Sequence, residues 1–274
     1  MSGQAQNSIA YWAARWRLTP DGTPIRSRSG RLLPVRTGDG ELAMLKVSVE
    51  PEERAGAALL DWWDGQGAAR VLEHEDGALL MERATGGLSL TDMARSGEDD
   101  EAIRILCRAA SRLHAPRPGQ PPAGLVPLET WFRSLWPAAE THGGLLARCA
   151  ETARALLDDP QDVVALHGDL HHGNVLDFGP RGWLAIDPKG LVGERGFDFA
   201  KMLCNPDRET ALATGRLRRR VAIVAEETGI APKRLLEWLS AWSALSAVWM
   251  VEDGEATELD LSMAEVAVAE LGGA

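Results

Sequence analysis

From Trp16 to about Arg83, hydrophobic and polar residues alternate over short segments, as they do in β-strands. The segments RLLPV and LAMLKV flank the turn Gly38-Asp39-Gly40, and ARVLEHEDGALLMER turns at Glu75-Asp76-Gly77, so two β-hairpins are predicted. Between them, acidic residues followed by apolar ones at helical spacing predict a helix from about Pro51 to Trp63. The first part of the chain is therefore predicted to form a small β-rich lobe.

After Ala84 the hydrophobic period becomes helical. The segment AIRILCRAASRLHA places apolar residues on one helix face, and three short β-like pieces, VVALHGD, VLDF and WLAID, follow later. Further helices are predicted over four stretches: 128–158 with breaks at Pro137 and Gly143-Gly144, 207–228, 232–252 and 258–271. These patterns predict an α+β fold with a β-rich lobe over 1–84 and a larger helical lobe over 85–274.

The charge balance limits the kind of partner. With 40 acidic and 29 basic residues among 274, the formal net charge is −11, which argues against nucleic acid and favours a neutral or cationic small molecule. The same balance also serves solubility alone.

Composition also bears on the compartment. The cysteines Cys107, Cys149 and Cys204 are widely spaced and include no CxxC pair, so neither a disulfide nor a structural zinc site is expected. No secretory signal pattern opens the chain, and the longest apolar run, near 241–251, is too short to span a bilayer. A cytoplasmic protein without a membrane partner is expected, either monomeric or homodimeric.

The segment ALHGDLHHGNVLDFGPRGWLAIDPKG, residues 165–190, concentrates histidines and aspartates. A zinc hydrolase is one interpretation, but the HExxH spacing is absent and a zinc site needs a further ligand from elsewhere. The alternative is phosphoryl transfer, because Asn174 follows Asp169 by five positions and Asp187 follows Asn174 by thirteen. In that arrangement Asp169 accepts the proton of the attacking hydroxyl, while Asn174 and Asp187 supply the oxygen ligands that Mg²⁺ prefers.

The literal string Asp177-Phe178-Gly179 is predicted not to be the metal-binding motif. It begins only three residues after Asn174, at the end of the first strand of a predicted hairpin, VLDF-GPRG-WLAI. Asp187 closes the second strand and is the better candidate ligand, although Asp187-Pro188 could also simply begin a turn.

The string HGDLHHGN at 167–174, with Ile186-Asp187-Pro188 downstream, resembles the aminoglycoside phosphotransferases, relatives of the eukaryotic protein kinases. The segment RGWLAIDPKGLVGERGFDFAKML is most similar to the streptomycin 6-phosphotransferases, a branch grouped with hydroxyurea-resistance kinases. The resemblance implies a bilobal protein-kinase-like fold and transfer of the ATP γ-phosphate to a hydroxyl of an aminoglycoside such as streptomycin. Another acceptor (hydroxyurea, a sugar or a metabolite) and a non-catalytic nucleotide-binding module stay open as alternatives.

The resemblance also implies roles for residues of the β-rich lobe. Lys46, at the end of LAMLKV, would face the α- and β-phosphates and pair with Glu53, although Glu50 and Glu52 lie nearby. No strong glycine-rich loop precedes the hairpin, so the phosphate contacts are assigned to Ser27, Ser29 and Gly30, which could equally form an exposed turn. The backbone at Glu82 and Ala84 would bind the base, and the side chains there do not distinguish ATP from GTP.

Supporting residues are expected around the catalytic loop. The resemblance assigns Asp198 to stabilising that loop, and His167 to holding it through its backbone or through Asp187. His114, His171 and His172 are expected to pack in the fold rather than to act on substrate.

Acceptor contacts are expected in the helical lobe, which offers acidic and tryptophan side chains for a guanidinium-bearing ring. The candidates are Glu194, Asp207, Trp249 and Glu252. The alternative is that the tryptophans, with Trp242 and Trp249 seven apart, form a core stripe and that the acids lie on solvated helix ends.

Overall fold

The computed structural model describes residues 8–27, 30–48 and 51–272, with only the backbone described at 51–53. Within these ranges the N-terminal part contains two helices and six strands: α1 (Ile9–Arg15), β1 (Thr19–Pro20), β2 (Ile25–Ser27), β3 (Gly30–Arg36), β4 (Leu42–Val47), α2 (Pro51–Trp63), β5 (Val71–Glu75) and β6 (Ala78–Glu82). The strands form an antiparallel sheet in the order β1-β3-β4-β6-β5, with β2 paired to β3.

Strand β4 shows how the alternation of side chains positions the site. Leu45 and Val47 are buried in a core that includes Trp12 of helix α1. Successive side chains point to opposite faces of a strand, so Met44 and Lys46 lie on the other face. Met44 packs there against the main core, which is shared with the helical part. The sheet therefore presents Lys46 toward the rest of the molecule.

The C-terminal part, as far as it is described, contains ten α-helices and five short strands. They are α3 (Leu90–Arg95), α4 (Asp99–His114), β7 (Val126–Pro127), α5 (Leu128–Trp131), α6 (Leu135–His142), α7 (Gly144–Asp158), β8 (Val163–Leu166), β9 (Val175–Asp177), β10 (Trp183–Ala185), β11 (Leu191–Glu194), α8 (Phe197–Cys204), α9 (Arg208–Ala211), α10 (Arg216–Thr228), α11 (Pro232–Glu252) and α12 (Glu258–Gly272), with 3₁₀ turns at Phe132–Ser134 and Gly179–Arg181. Strands β9 and β10 form a hairpin, and β11 lies between β7 and β8.

Helix α11 is the centre of this helical part. Its residues from Trp238 to Val248 are buried along both sides of the helix, and it packs against α7, α8 and α12. A helix that is apolar all round is stable only when other elements surround it. Helix α8, which follows β11 closely, packs against α11, α4 and α10.

Most of the predicted elements are confirmed. Both hairpins, the helix at Pro51–Trp63 and the β9–β10 hairpin are present, and the fold is α+β. The helix predicted over 207–228 is wrong as one piece, because it is divided into α9 and α10 just before Gly215, which has φ 75°. Helices α1 and α8 and strand β11 were not predicted. The predicted division after residue 84 falls in the segment between β6 and α3.

The structure also bears on the expectations about membrane-spanning segments and cysteines. Over the part of the chain that is described, no helix is both long enough and apolar enough to cross a membrane. The three cysteines are buried and free.

Candidate active site

Asp198 fixes the start of the loop that joins β8 to β9. Its carboxylate accepts hydrogen bonds from the backbone N–H groups of His167 (2.9 Å) and Gly168 (2.7 Å), and His114 Nε2 lies 2.8 Å from Oδ2. Burial alone would raise the pKa of Asp198, but the hydrogen bond and charge of His114 and the loop amide lower it below its ordinary value. Asp198 thus occupies the loop-stabilising place expected of it, and His114 is its partner.

His167 connects this loop to the residue that follows β10, the second strand of the hairpin. Its Nε2 donates to the carbonyl of Ile186 (2.9 Å), and its Nδ1 accepts the N–H of Asp169 (3.2 Å). The ring is fully buried and stacks on Trp63 with centroids 6.3 Å apart. Burial lowers the pKa of His167, so the ring is neutral and both nitrogens are used. The ring therefore reaches the residue before Asp187 rather than Asp187 itself.

Asp169 stands at the centre of the loop with both carboxylate oxygens in contact with donors. Oδ1 contacts Nζ of Lys201, and Oδ2 accepts from Nδ2 of Asn174 at 3.1 Å. Burial would raise the pKa of Asp169, but the charge of Lys201, followed by that of His171, lowers it to about 2. Asp169 is therefore an anion at neutral pH, and its carboxylate can accept a hydrogen bond from a hydroxyl group.

The β9–β10 hairpin brings Asn174 and Asp187 together. The N–H of Ile186 donates to the carbonyl of Asn174 at 2.9 Å, so the two ends of the hairpin lie side by side. Asn174 Nδ2 is used by the carbonyl (2.9 Å) and carboxylate of Asp169, which leaves Oδ1 for a cation. Asp187, with φ 62°, contacts the ammonium of Lys46. The amide oxygen of Asn174 and the carboxylate of Asp187 are the oxygen ligands that Mg²⁺ prefers, so this pair fits a magnesium ion.

The zinc-hydrolase interpretation finds no support in this geometry. Across residues 8–27, 30–48 and 54–272, whose side chains the structure describes, no group of three or more histidine, cysteine, aspartate or glutamate side chains is arranged to hold a metal ion. His167 has both ring nitrogens in hydrogen bonds, and His172 is 2% exposed within the fold.

Asp177 lies where the sequence predicted, away from the catalytic loop. Its Oδ1 accepts the N–H of Gly179 (2.9 Å) and its Oδ2 the N–H of Leu88 (3.2 Å), while its carbonyl accepts the N–H of Gly86 (2.9 Å). The Asp177-Phe178-Gly179 string therefore fixes a turn and the segment between the two parts of the chain.

The profile of the aminoglycoside/hydroxyurea antibiotic resistance kinases matches residues 15–254. The chain belongs to this family. It is 56% identical over 245 residues to the streptomycin 3''-kinase of Klebsiella pneumoniae, covering 88% of this chain and 91% of that protein. An alignment of 275 residues with the streptomycin 6-kinase of Streptomyces griseus shows 32% identity and covers 96% and 87%. Among solved structures, the macrolide 2'-phosphotransferase of Brachybacterium faecium has a TM-score of 0.60 at 18% identity over 95% and 96% of the chains. The predicted family and bilobal kinase-like fold are confirmed.

The phosphate-facing residues predicted for this kinase are partly described. Lys46 is 4% exposed and contacts Asp187. The side chain of Glu53, and Ser29 as a whole, lie outside the described residues. Ser27 Oγ donates to the carbonyl of Gly30 at 3.2 Å, and a Cβ on Gly30 would lie 2.5 Å from the carbonyl oxygen of Val47. Gly30, the first residue of β3, therefore lies directly against the end of β4.

The segment predicted to bind the nucleotide base has structural partners on its side chains. The carboxylate of Glu82 accepts the N–H of Arg70 (2.6 Å) and contacts Arg181. Ala84 packs against the main core. The prediction for these two residues concerns their backbone groups, and it stays a prediction.

Two of the acceptor candidates are occupied by structural contacts in the kinase. Glu194 is 3% exposed and accepts hydrogen bonds from Arg234 (2.6 Å) and Trp238 Nε1 (2.7 Å). Asp207 caps helix α9 by accepting the N–H of Thr210 at 2.9 Å, and it pairs with Arg95. Glu194 is therefore a buried ion-pair partner in strand β11 rather than a residue on a solvated helix end, and Asp207 is a helix cap. Their contact with an acceptor stays a prediction.

The other two candidates lie on helix α11. Trp249 meets Trp131 edge to face, with ring centroids 5.2 Å apart and an interplanar angle of 75°. Glu252 is exposed at the last residue of the helix. Their contact with an acceptor stays a prediction.

One residue of the candidate site, Lys201, was not predicted at all. Lys201 of α8 contacts Asp169, although the sequence marks it only as one of four lysines in the chain, Lys46, Lys189, Lys201 and Lys233. The scarcity of lysine in the sequence was a signal that could have marked Lys201. Its place near Asp169 could not be predicted, because helix α8 was not predicted.

Proposed function

We propose that this kinase transfers the γ-phosphate of ATP to a hydroxyl of streptomycin and thereby inactivates the antibiotic. The observation that carries the proposal is the arrangement of Asp169, Asn174 and Asp187 around one loop and hairpin, with Lys46 across from them. The names of the relatives support the acceptor, since two of them are streptomycin kinases.

Each residue has a defined task in the proposed reaction. Asp169, charged at neutral pH, accepts the proton of the acceptor hydroxyl. The hydroxyl oxygen bonds to the γ-phosphorus while the bond between the γ-phosphorus and the β-phosphate oxygen breaks, which releases ADP. Lys46 neutralises charge on the nucleotide phosphates. Asn174 Oδ1 and the Asp187 carboxylate would hold Mg²⁺, which when bound neutralises charge on the triphosphate.

The nucleotide itself would lie against the sheet. Met44 and Lys46 share one face of β4, and Met81 and Leu79 of β6 pair with them across the strands. These apolar side chains suit contact with a purine, and the backbone at Glu82 and Ala84 would donate and accept its hydrogen bonds. These side chains do not select between ATP and GTP, and ATP is the donor we propose.

The acceptor is proposed to be cationic. A chain with a net charge of −11 attracts a molecule that carries guanidinium groups, and streptomycin carries two. The relatives differ in the position named, 3'' in one and 6 in the other. We infer a cytoplasmic enzyme, where its three free cysteines stay reduced and ATP is supplied. Hydroxyurea, named in the family description, is the second candidate acceptor.

Product analysis tests the proposal. The protein is incubated with ATP, Mg²⁺ and streptomycin, and the mixture is followed by ³¹P NMR and mass spectrometry, with hydroxyurea in a parallel reaction. A streptomycin monophosphate is the expected product, and its phosphorus–proton couplings assign the 3'' or 6 hydroxyl. If hydroxyurea is phosphorylated and streptomycin is not, hydroxyurea takes the place of streptomycin as the proposed acceptor. If neither molecule is phosphorylated, the proposal is contradicted.

A further inference from the structure

Lys201 and Asp198 lie on the same face of helix α8, three residues apart. Asp198 accepts the N–H groups of His167 and Gly168, so it fixes the backbone just before Asp169. Lys201, one turn further along the helix, contacts the side chain of Asp169 itself. One helix face thus holds both the backbone and the carboxylate of the catalytic loop.

The contact of Lys201 complements that of Asn174. Lys201 binds Oδ1 of Asp169, while Asn174 donates to Oδ2 at 3.1 Å. A carboxylate held on one oxygen only can still rotate about its Cβ–Cγ bond, and the second contact removes that freedom. Each oxygen keeps a further lone pair, so the acceptor hydroxyl can still approach.

The rest of the surroundings keeps the Lys201 ammonium in place. Its Nζ lies 5.9 Å from the ring centroid of Trp242, and its side chain is 28% exposed. Asp260 of helix α12 is buried nearby and interacts electrostatically with Lys201. A lysine side chain has considerable rotamer freedom, and the aromatic ring and second carboxylate reduce it.

We propose that Lys201 is a positioning residue for the phosphoryl transfer, which holds the carboxylate of Asp169 in the orientation that receives the acceptor hydroxyl. This inference rests on the proposed function, because it concerns the same aspartate. It assigns a task to a lysine that no sequence motif marks. A misplaced catalytic group costs about a hundredfold in rate for an error of about 1 Å, so the contact carries a measurable share of turnover.

Three substitutions separate the features of Lys201. Lys201→Arg keeps the charge and the donors, Lys201→Gln keeps a donor without the charge, and Lys201→Met keeps only the apolar stem. We expect kcat to fall by about tenfold to a hundredfold in the Met variant, less in Gln and least in Arg, while KM for MgATP stays within about twofold.

The control is Lys233→Met, which removes an exposed lysine paired with Glu237 and should leave kcat unchanged. An unchanged kcat in Lys201→Met, or a rise in KM for MgATP that matches the loss, would overturn the proposal.

Lysine-selective NMR tests the contact without turnover. With only four lysines, the side-chain signals of ¹³C,¹⁵N-lysine-labelled protein are few, and the one lost in Lys201→Met is that of Lys201. We expect this signal to shift in Asp169→Asn while that of Lys233 stays in place. A Lys201 signal unaffected by Asp169→Asn would overturn the contact. If the wild type phosphorylates no acceptor, the proposed function fails, and the NMR comparison still decides the contact.

Discussion

Gly56 of helix α2 lies directly against the backbone carbonyl of Pro188, the residue that follows Asp187. A Cβ on Gly56 would overlap the Pro188 oxygen, and a Cβ on Gly190 would lie 2.6 Å from that of Ala55. Helix α2 belongs to the N-terminal part, whereas residues 188–190 follow the candidate metal ligand. The two parts of the site are therefore in direct backbone contact at a glycine.

Gly56→Ala is expected to disturb the metal ligand through this contact. In a free helix alanine is favoured over glycine by about 1 kcal/mol, but here the added methyl must displace the Pro188 backbone, at a cost of about 1–3 kcal/mol. We expect about tenfold weaker binding of MgATP by isothermal titration calorimetry. Gly38→Ala is the matched control, because a Cβ at Gly38 meets no atom within 4 Å. Equal affinities in the two variants would contradict the argument.

Asp198→Asn is expected to lower the free energy of unfolding at pH 7 by about 3 kcal/mol, because a buried carboxylate that accepts two loop amides is replaced by an amide that also donates. The folded-state pKa of Asp198 lies below its ordinary value of 3.8. Its contribution is therefore full at neutral pH and is lost as the pH falls below about 4.

The measurement is urea unfolding of the wild type and of Asp198→Asn at several pH values between 3 and 7. The two free energies should approach each other as the solution becomes acidic. A difference that is independent of pH would show that the charge of Asp198 plays no part.

Glu194→Gln and Glu252→Gln should differ in stability: the first variant is expected to lose stability and the second to keep it. Glu194 is buried in an ion pair with Arg234, so its replacement should cost about 3 kcal/mol of stability and leave KM for streptomycin unchanged. Glu252 is exposed at the end of α11, so its replacement should leave stability within about 0.5 kcal/mol. If Glu252 contacts the acceptor, KM for streptomycin rises in that variant alone. Thermal unfolding and steady-state kinetics measure both, and a raised KM in Glu194→Gln would contradict the structural assignment.

The sequence was most informative where function and local structure coincide. The segment between Asn174 and Asp187 forms a short hairpin, and Asp169 lies five residues before Asn174. That these residues lie near one another could therefore be predicted from this stretch of sequence alone. The same reasoning separated Asp187 from Asp177, since Asp177 ends strand β9 whereas Asp187 follows strand β10.

The sequence was least informative where a role depends on a distant partner. Glu194 binds Arg234, forty positions away, and Asp207 binds Arg95, which is separated from it by 112. Nothing local distinguishes such carboxylates from free ones that could meet a cationic acceptor. Lys201 escaped prediction for the same reason, because it reaches Asp169 across 32 positions from a helix the periodicity did not reveal.

The most direct test of the account is the turnover of Asp169→Asn. The variant keeps the size of the side chain and an oxygen that can accept from Asn174 or Lys201, but it has no carboxylate to receive the proton. We predict that formation of phosphorylated streptomycin, measured by mass spectrometry, falls by about 10²–10⁴-fold while the Kd for MgATP stays within about threefold of the wild type. Turnover within tenfold of the wild type would contradict the assignment of Asp169 as the base.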